Sequence, residues 1–218
     1  MRFQLLLSPA KSPVNFDYQG QLTGVIHKWL GRNEFHDELS LYSFSWLSNA
    51  KVLNNQLHFR SGSEWFISFW DNDFGVSLFE GMKKDPYTIG GMKIKEMKLI
   101  ETPELKNYTN FIAASPILIR DFEGDNYRHY TYQDEMADHL MTATLSKKLK
   151  AAGIDSDNFT IRFDRTYTNP KTKLVNIHGI NNRASICPVI IEGDEIVKQF
   201  AWNVGVGHST GTGFGSLR

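Results

Sequence analysis

Asn203-Val-Gly-Val-Gly-His-Ser-Thr-Gly-Thr-Gly-Phe-Gly-Ser-Leu-Arg218 holds five glycines, Gly205, Gly207, Gly211, Gly213 and Gly215, within eleven positions. Glycine accepts positive φ and lets the backbone come close to another group. The N–H groups of such a loop can hold phosphate oxygens. The run is not a P-loop, because no Gly-Lys-Ser/Thr follows its glycines. It is not a dinucleotide fingerprint either, because no helix follows it. Phe214 and Leu217 suit a last short strand, Phe214–Leu217, that docks the run on a sheet instead of leaving a plain tail.

Working back from the run, Asp194 is placed to cap a helix reaching Trp202. Arg183–Glu192 reads as one strand, with Cys187 as a buried small hydrophobe in Ser185-Ile-Cys-Pro-Val-Ile-Ile191. Asn169–Ile177 is hairpin-like, and Phe159–Tyr167 alternates as a strand does. Gln133–Ala152 is the clearest helix, with Met136, Leu140, Thr144 and Leu145 on one side. Lys147, Lys148 and Lys150 sit near its end, where cations suit the helix dipole. Asp121–Asn126 reads as a turn, and Asn110–Ile119 as a strand interrupted by Ser115-Pro116.

The first half has the same order. Phe3–Leu7 reads as a buried strand, and Leu22, Val25, Ile26, Trp29 and Leu30 recur at helical spacing up to a stop at Gly31. Asn33 is placed to cap a short helix over Glu34–Leu39. Tyr42–Trp46, Gln56–Phe59 and Trp65–Trp70 have strand character. Asp71 suits the cap of a helix over Phe74–Met82, and Met92–Ile100 alternates. Strand, helix, strand pair, helix, strand is the split βαβ order. The expected fold is α+β, with two tandem ferredoxin-like (RRM-like, βαββαβ) domains over 1–106 and 107–218 and a C-terminal glycine-rich loop. The boundary is expected near Pro103–Asn110.

The 218 residues suffice for one large domain or two small ones. Apolar content of 41% and charged content of 22% are those of an ordinary globular chain. A net charge of +0 weighs against a general polyanion binder and leaves room for a local basic face. One cysteine allows no intramolecular disulfide, which suits a reducing cytoplasm. The apolar start Met1–Leu7 is too short for a signal peptide. No stretch approaches the ~20 apolar residues of a membrane helix.

His27 and His36 are the candidate catalytic pair. On one continuous helix they would stand ~13 Å apart along the axis, but a break at Gly31 lets them converge. Cleavage of RNA by its own 2′-OH needs a base for that hydroxyl and an acid for the departing 5′-oxygen. Two imidazoles near neutral pH suit those tasks. Lys171, Lys173 and Arg183 flank the hairpin-like stretch, with Arg162 and Arg165 before it, and together offer a basic face. His208 is expected as an exposed loop histidine. Asp71 and Asp73 have the spacing of a hard-cation site, but capping accounts for Asp71 more simply. Glu135 and His139, one turn apart, read as a surface pair. No metal and no cofactor are expected.

With these residues in view, the chain resembles the CRISPR repeat-RNA-processing endoribonucleases of the RAMP superfamily. Four segments carry the resemblance: Met1–Leu7; Leu22–His27 with Phe35–Glu38 and Tyr42–Ser45; Ala114–Ile117; and Gly205–Gly215 with its closing Gly-Phe-Gly. It implies metal-independent cleavage within a CRISPR repeat, leaving a 2′,3′-cyclic phosphate and a 5′-hydroxyl, to produce guide RNAs. His36 matches the family's catalytic histidine. His27 falls where members carry a tyrosine or a second histidine. Some members have a lysine just before the Tyr-Ser-Phe-Ser segment, where this chain has about Ser40. Lys28, Arg32 or a lysine from elsewhere would then stabilise charge on the phosphorane. The glycines are expected to hold RNA. The expected partner is CRISPR repeat RNA, with a homodimer or other CRISPR effector subunits beyond it, and no membrane. Two other readings compete: a non-catalytic RNA-binding subunit of the same superfamily, and a metal-dependent nuclease or phosphatase using Asp71 and Asp73.

Overall fold

The computed structural model describes residues 1–31, 39–123 and 126–218. The expected helix over Glu34–Leu39, its cap Asn33, and the candidates Arg32 and His36 lie outside them, apart from Leu39.

In the first half, β1 (Arg2–Leu7) is followed by α1 (Gln19–Leu30) and β2 (Tyr42–Phe44). A small hairpin, β3 (Lys51–Leu53) with β4 (Gln56–His58), precedes β5 (Ser63–Phe69), α2 (Asn72–Lys84) and β6 (Ile94–Ile100). The sheet order is β2-β5-β1-β6, with β1 antiparallel to both β5 and β6. This is the ferredoxin-like arrangement. Phe3, Leu5 and Leu7 alternate inward from β1 and meet Leu22, Ile26 and Trp29 of α1 and Phe74, Leu78 and Met82 of α2 in one core. Asp71 caps α2, its Oδ1 accepting from the Phe74 N–H at 2.8 Å. That hydrogen bond gives Asp71 a structural task.

The second half repeats the order with two hairpins inserted. β7 (Asn110–Phe111) leads to the β8 (Ile119–Glu123) and β9 (Asn126–Tyr130) hairpin, then α3 (Glu135–Ala151) and β10 (Thr160–Phe163). The second inserted hairpin is β11 (Lys171–Ile177) with β12 (Ile180–Ile186), followed by β13 (Val189–Glu192) and α4 (Glu195–Val204). β10-β13-β7 form a sheet, and its open edge is finished by backbone bonds between Ile112 and Arg218 and between Ala114 and Ser216. The core collects Met141, Leu145 and Leu149 of α3, Val197 and Phe200 of α4, and Ile161, Phe163, Val189 and Ile191 of the sheet.

Three expectations are corrected. The span Arg183–Glu192 is two strands, because Pro188 lacks an N–H for the ladder; β12 pairs with β11, whereas β13 pairs with β10. Asp121–Glu123 and Asn126 are not a simple turn but paired residues of β8 and β9. Phe214–Leu217 makes one bridge, Ala113 with Leu217, in place of a full strand. Lys148 stands in the last turn of α3 as expected, and, three positions after Leu145, it falls on the buried stripe and is itself buried. Cys187 is buried as expected, and burial pushes its thiol up to about 11.

Candidate nucleic-acid interface

Met1–Leu7, Tyr42–Ser45 and Ala114–Ile117 meet around the glycine run; Phe35–Glu38 lie outside the described residues. From β1, the buried Arg2 guanidinium lies between the Phe66 and Trp202 rings, 3.7 and 3.6 Å from their centroids. It donates to the Leu217 carbonyl at 2.6 Å. From β2, the Tyr42 hydroxyl donates to the Gly211 carbonyl at 3.2 Å and Ser43 Oγ to the Asn203 carbonyl at 3.0 Å. Just beyond, Trp46 Nε1 donates to the Gly213 carbonyl at 2.8 Å. From the Ser-Pro element, Ser115 Oγ accepts from the Ser216 N–H at 3.0 Å, and the Pro116 carbonyl accepts from the Gly215 N–H at 2.8 Å. The run is therefore the seam between the two halves of the chain.

Its glycines are required by that seam. A Cβ on Gly215 would stand 1.9 Å from the Val206 carbonyl oxygen, at φ +66. One on Gly207 would stand 2.7 Å from the Leu118 carbonyl oxygen, at φ +75. Both close approaches are to protein backbone. Gly205 lies against Gly215 and Ser43, Gly211 against Ser40 and Tyr42, and Gly213 against Phe44 and Gln19. Gly205, Gly207, Gly211, Gly213 and Gly215 are buried or nearly so. The solvent-accessible crest of the run is His208, Ser209 and Thr212.

Beneath the crest lies Lys148. Its Nζ donates to Thr210 Oγ1 at 2.7 Å and to the Val204 carbonyl at 3.3 Å. Among the described residues no carboxylate pairs with it, and burial lowers its pKa from 10.5 to about 7. His208 is half-buried, not the exposed loop residue expected. Its N–H donates to the Leu118 carbonyl at 2.8 Å, and its Nδ1 accepts from the Arg120 N–H at 3.4 Å. Burial first, then the charge of Arg120, holds this imidazole below the usual histidine pKa. The hydrogen bond from the Arg120 N–H favours the form of the ring with Nδ1 unprotonated.

The other candidates are distributed around this seam. Gln19 at the start of α1 packs under Gly213. His27, half-buried, lies in the last turn of the same helix, ~12 Å farther along its axis. Lys28 is tied to the end of α2: its Nζ meets Asp85 Oδ2 at 2.8 Å and donates to the Tyr87 carbonyl at 2.7 Å. Ser40 abuts Gly211. Lys173 lies over the Trp46 ring, 4.5 Å from its centroid, on the same side of its hairpin as Lys171. Arg183 is paired with Leu174, so it projects from the opposite side. Arg162 and Arg165 are engaged with Glu192 and Asp138. The expected basic face is thus split in two.

A model of the family described as CRISPR associated protein Cas6, C-terminal, matches residues 100–218. The chain belongs to the Cas6 family. Two curated relatives are each 26% identical over 161 residues: a CRISPR-associated endoribonuclease-like protein Cas6 of Pyrococcus furiosus and a Cas6nc of Pyrococcus horikoshii. Each match covers 70% of this chain and 66% of the relative's length. Among solved structures, a RAMP protein binding different RNA substrates superposes with a TM-score of 0.84 at 22% identity, covering 100% of this chain and 98% of the other. A Cas6-related protein from Pyrococcus furiosus gives 0.86 at 20% identity, covering 100% and 97%. At such identities these likenesses concern the fold, two ferredoxin-like units in tandem. No helix among the described residues is long and apolar enough to cross a membrane.

Sequence reasoning missed Lys148, Arg2 and the β8–β9 hairpin. The spacing Met141, Leu145, Lys148, Leu149 carried the signal for the first. Arg2, directly before the buried alternation of β1, gave no such sign.

Proposed function

We propose that this Cas6-family chain is a metal-independent endoribonuclease that cleaves CRISPR precursor RNA within the repeat to produce guide RNAs. The working division is one ferredoxin-like domain over 1–106, carrying the histidines, and one over 107–218. The observation that supports the reading is the convergence of Met1–Leu7, Tyr42–Ser45 and Ala114–Ile117 on the glycine run, with α1 running from beneath Gly213 to His27. The chain between His27 and Ser40 includes His36, and Ser40 lies against Gly211. His36 takes the proton of the 2′-OH, the 2′-oxygen attacks the adjacent phosphorus, and the bond to the 5′-oxygen breaks as that oxygen is protonated. His27 is the second histidine of this scheme, as the acid or as the group that positions the 2′-OH. Lys28 and Arg32, near the end of α1, Ser40, Lys171 and Lys173 and, on the other hairpin face, Arg183 are the proposed RNA contacts, beside the crest of the glycine run.

The test is incubation with repeat RNA in excess chelator, followed by analysis of the product ends. Fragments with a 2′,3′-cyclic phosphate and a 5′-hydroxyl are expected. Tight RNA binding with no cleavage would favour the non-catalytic subunit, and activity lost with chelator would favour the metal-dependent reading.

A further inference from the structure

The β8–β9 hairpin separates its side chains sharply between two faces. Cross-strand partners are Arg120 with His129, Asp121 with Arg128, and Phe122 with Tyr127. Because directly opposed residues share a face and successive residues alternate, one face carries Arg120, Phe122, Tyr127 and His129. The other carries Asp121, Glu123 and Arg128, where Arg128 meets Glu123 at 3.6 Å. The carboxylates are spent on the second face. Among the described residues of the hairpin, the first face has none.

Contacts bear out this division. Phe122 and Tyr127 pack edge to face with centroids 5.1 Å apart. The Arg120 guanidinium lies over Tyr127, 4.3 Å from its centroid. The rings are 62% and 53% exposed. Two large rings side by side in water are unlike the single apolar residues scattered over most surfaces. The face also adjoins the seam. Arg120 Nη2 is 3.5 Å from Ser209 Oγ, and its N–H donates to His208. Burial first, then the charge of Arg120, holds the His129 imidazole below the usual histidine pKa, against a hydrogen bond with the Asn182 side chain.

We propose that the Arg120, Phe122, Tyr127 and His129 face of this hairpin is a stacking platform for an unpaired base of single-stranded RNA, continuous with the crest of the glycine run at His208 and Ser209. Aromatic faces accept any base by stacking, and a neighbouring arginine supplies phosphate contact without competition from carboxylates. The spacing fits: Phe122 lies two residues along the strand from Arg120, about 7 Å. A phosphate held at Arg120 and Ser209 thus leaves the attached base within reach of the rings. This inference rests on the RNA-processing reading for the identity of the RNA, but the platform itself is indifferent to sequence.

The test compares the full chain with the Phe122→Ala/Tyr127→Ala variant on two probes: repeat RNA, and an unrelated unstructured RNA of equal length. Each RNA is also made with 2-aminopurine at successive positions. The variant should bind both RNAs at least tenfold more weakly, and the fluorescence quenching seen with the wild type should disappear. Phe122→Tyr and Tyr127→Phe should restore both signals, which a merely structural defect would not allow. Unchanged affinity and quenching on both RNAs would overturn the platform and leave the rings as a protein-docking surface. If the wild type shows no preference for repeat RNA, the repeat-processing reading fails, while the unrelated RNA still decides the platform.

Discussion

The glycine run and the β8–β9 hairpin sit side by side and work by opposite means. The run is conspicuous in sequence but mostly buried, and its glycines are there because Val206, Leu118 and Ser40 leave no room for a Cβ. The hairpin has no motif, yet it projects two rings into solvent with an arginine laid over one of them. A glycine-rich stretch thus marks where the protein approaches itself. In the proposed reading the ligand-facing chemistry belongs to its neighbours and to the narrow crest of His208 and Ser209. The two meet at Arg120, which contacts His208 and Ser209.

The sharpest way to break this contrast is Gly215→Ala. The added methyl would meet the Val206 carbonyl at 1.9 Å on a backbone with φ +66. Left-handed backbone and overpacking together cost about 3 kcal/mol or more. Thermal denaturation should show a large fall in Tm, and RNA binding should fall with it. A variant that kept its stability would remove the steric account of the run.

A smaller effect is expected at Lys148, the cation under the crest. Its folded pKa of about 7 lies below the ordinary lysine value of 10.5. Below about pH 7 both folded and unfolded chains hold the proton, and the cost of burying the charge is fully present. Between about pH 7 and 10.5 the folded state has shed the proton while the unfolded chain still holds it, so stability rises with pH. Melting at pH 7 and pH 9 should show this rise for the wild type and a smaller one for Lys148→Met. The charge of Lys148 also contributes to holding the His208 pKa down, so the imidazole of the variant should titrate at higher pH by NMR. Equal pH slopes in the two proteins would show that Lys148 does not titrate as a buried group.

The smallest effect separates glycines that pack from glycines that do not. Gly24 is exposed within α1, and a Cβ there would meet nothing within 4 Å. Gly24→Ala should stabilise the chain by about 0.5–1 kcal/mol through helix propensity alone. A loss of stability would mean that the position has a contact role.

Much of the fold could be read directly. Capping by Asp71, the helical stripe of α1 and the long helix α3 each followed from local chemistry that tertiary packing then reinforced. What escaped was set by distant partners. Lys148 is a helix-end cation, but its burial follows from its place three positions after Leu145 and from the glycine run packed over it. The β8–β9 hairpin was read as a turn because Asp121 and Glu123 interrupt any apolar alternation, and its pairing is visible only across the two strands. The break between β12 and β13 hid in an apolar run because both strands are partly buried; only Pro188 betrayed it. Of the candidate site, the segments were legible but their meeting was not, since Arg2, Tyr42 and Ser115 reach the run across more than one hundred positions of chain.

The central claim, a proposal, is that this Cas6-family chain cuts RNA with His36, while the seam and its hairpin hold the strand. It is tested most directly by the single-turnover cleavage rate of His36→Ala on repeat RNA, measured beside its affinity for the same RNA. Loss of a general base predicts a rate lower by about 10²–10⁴-fold with affinity within a few-fold of wild type. Cleavage at the wild-type rate would contradict the account.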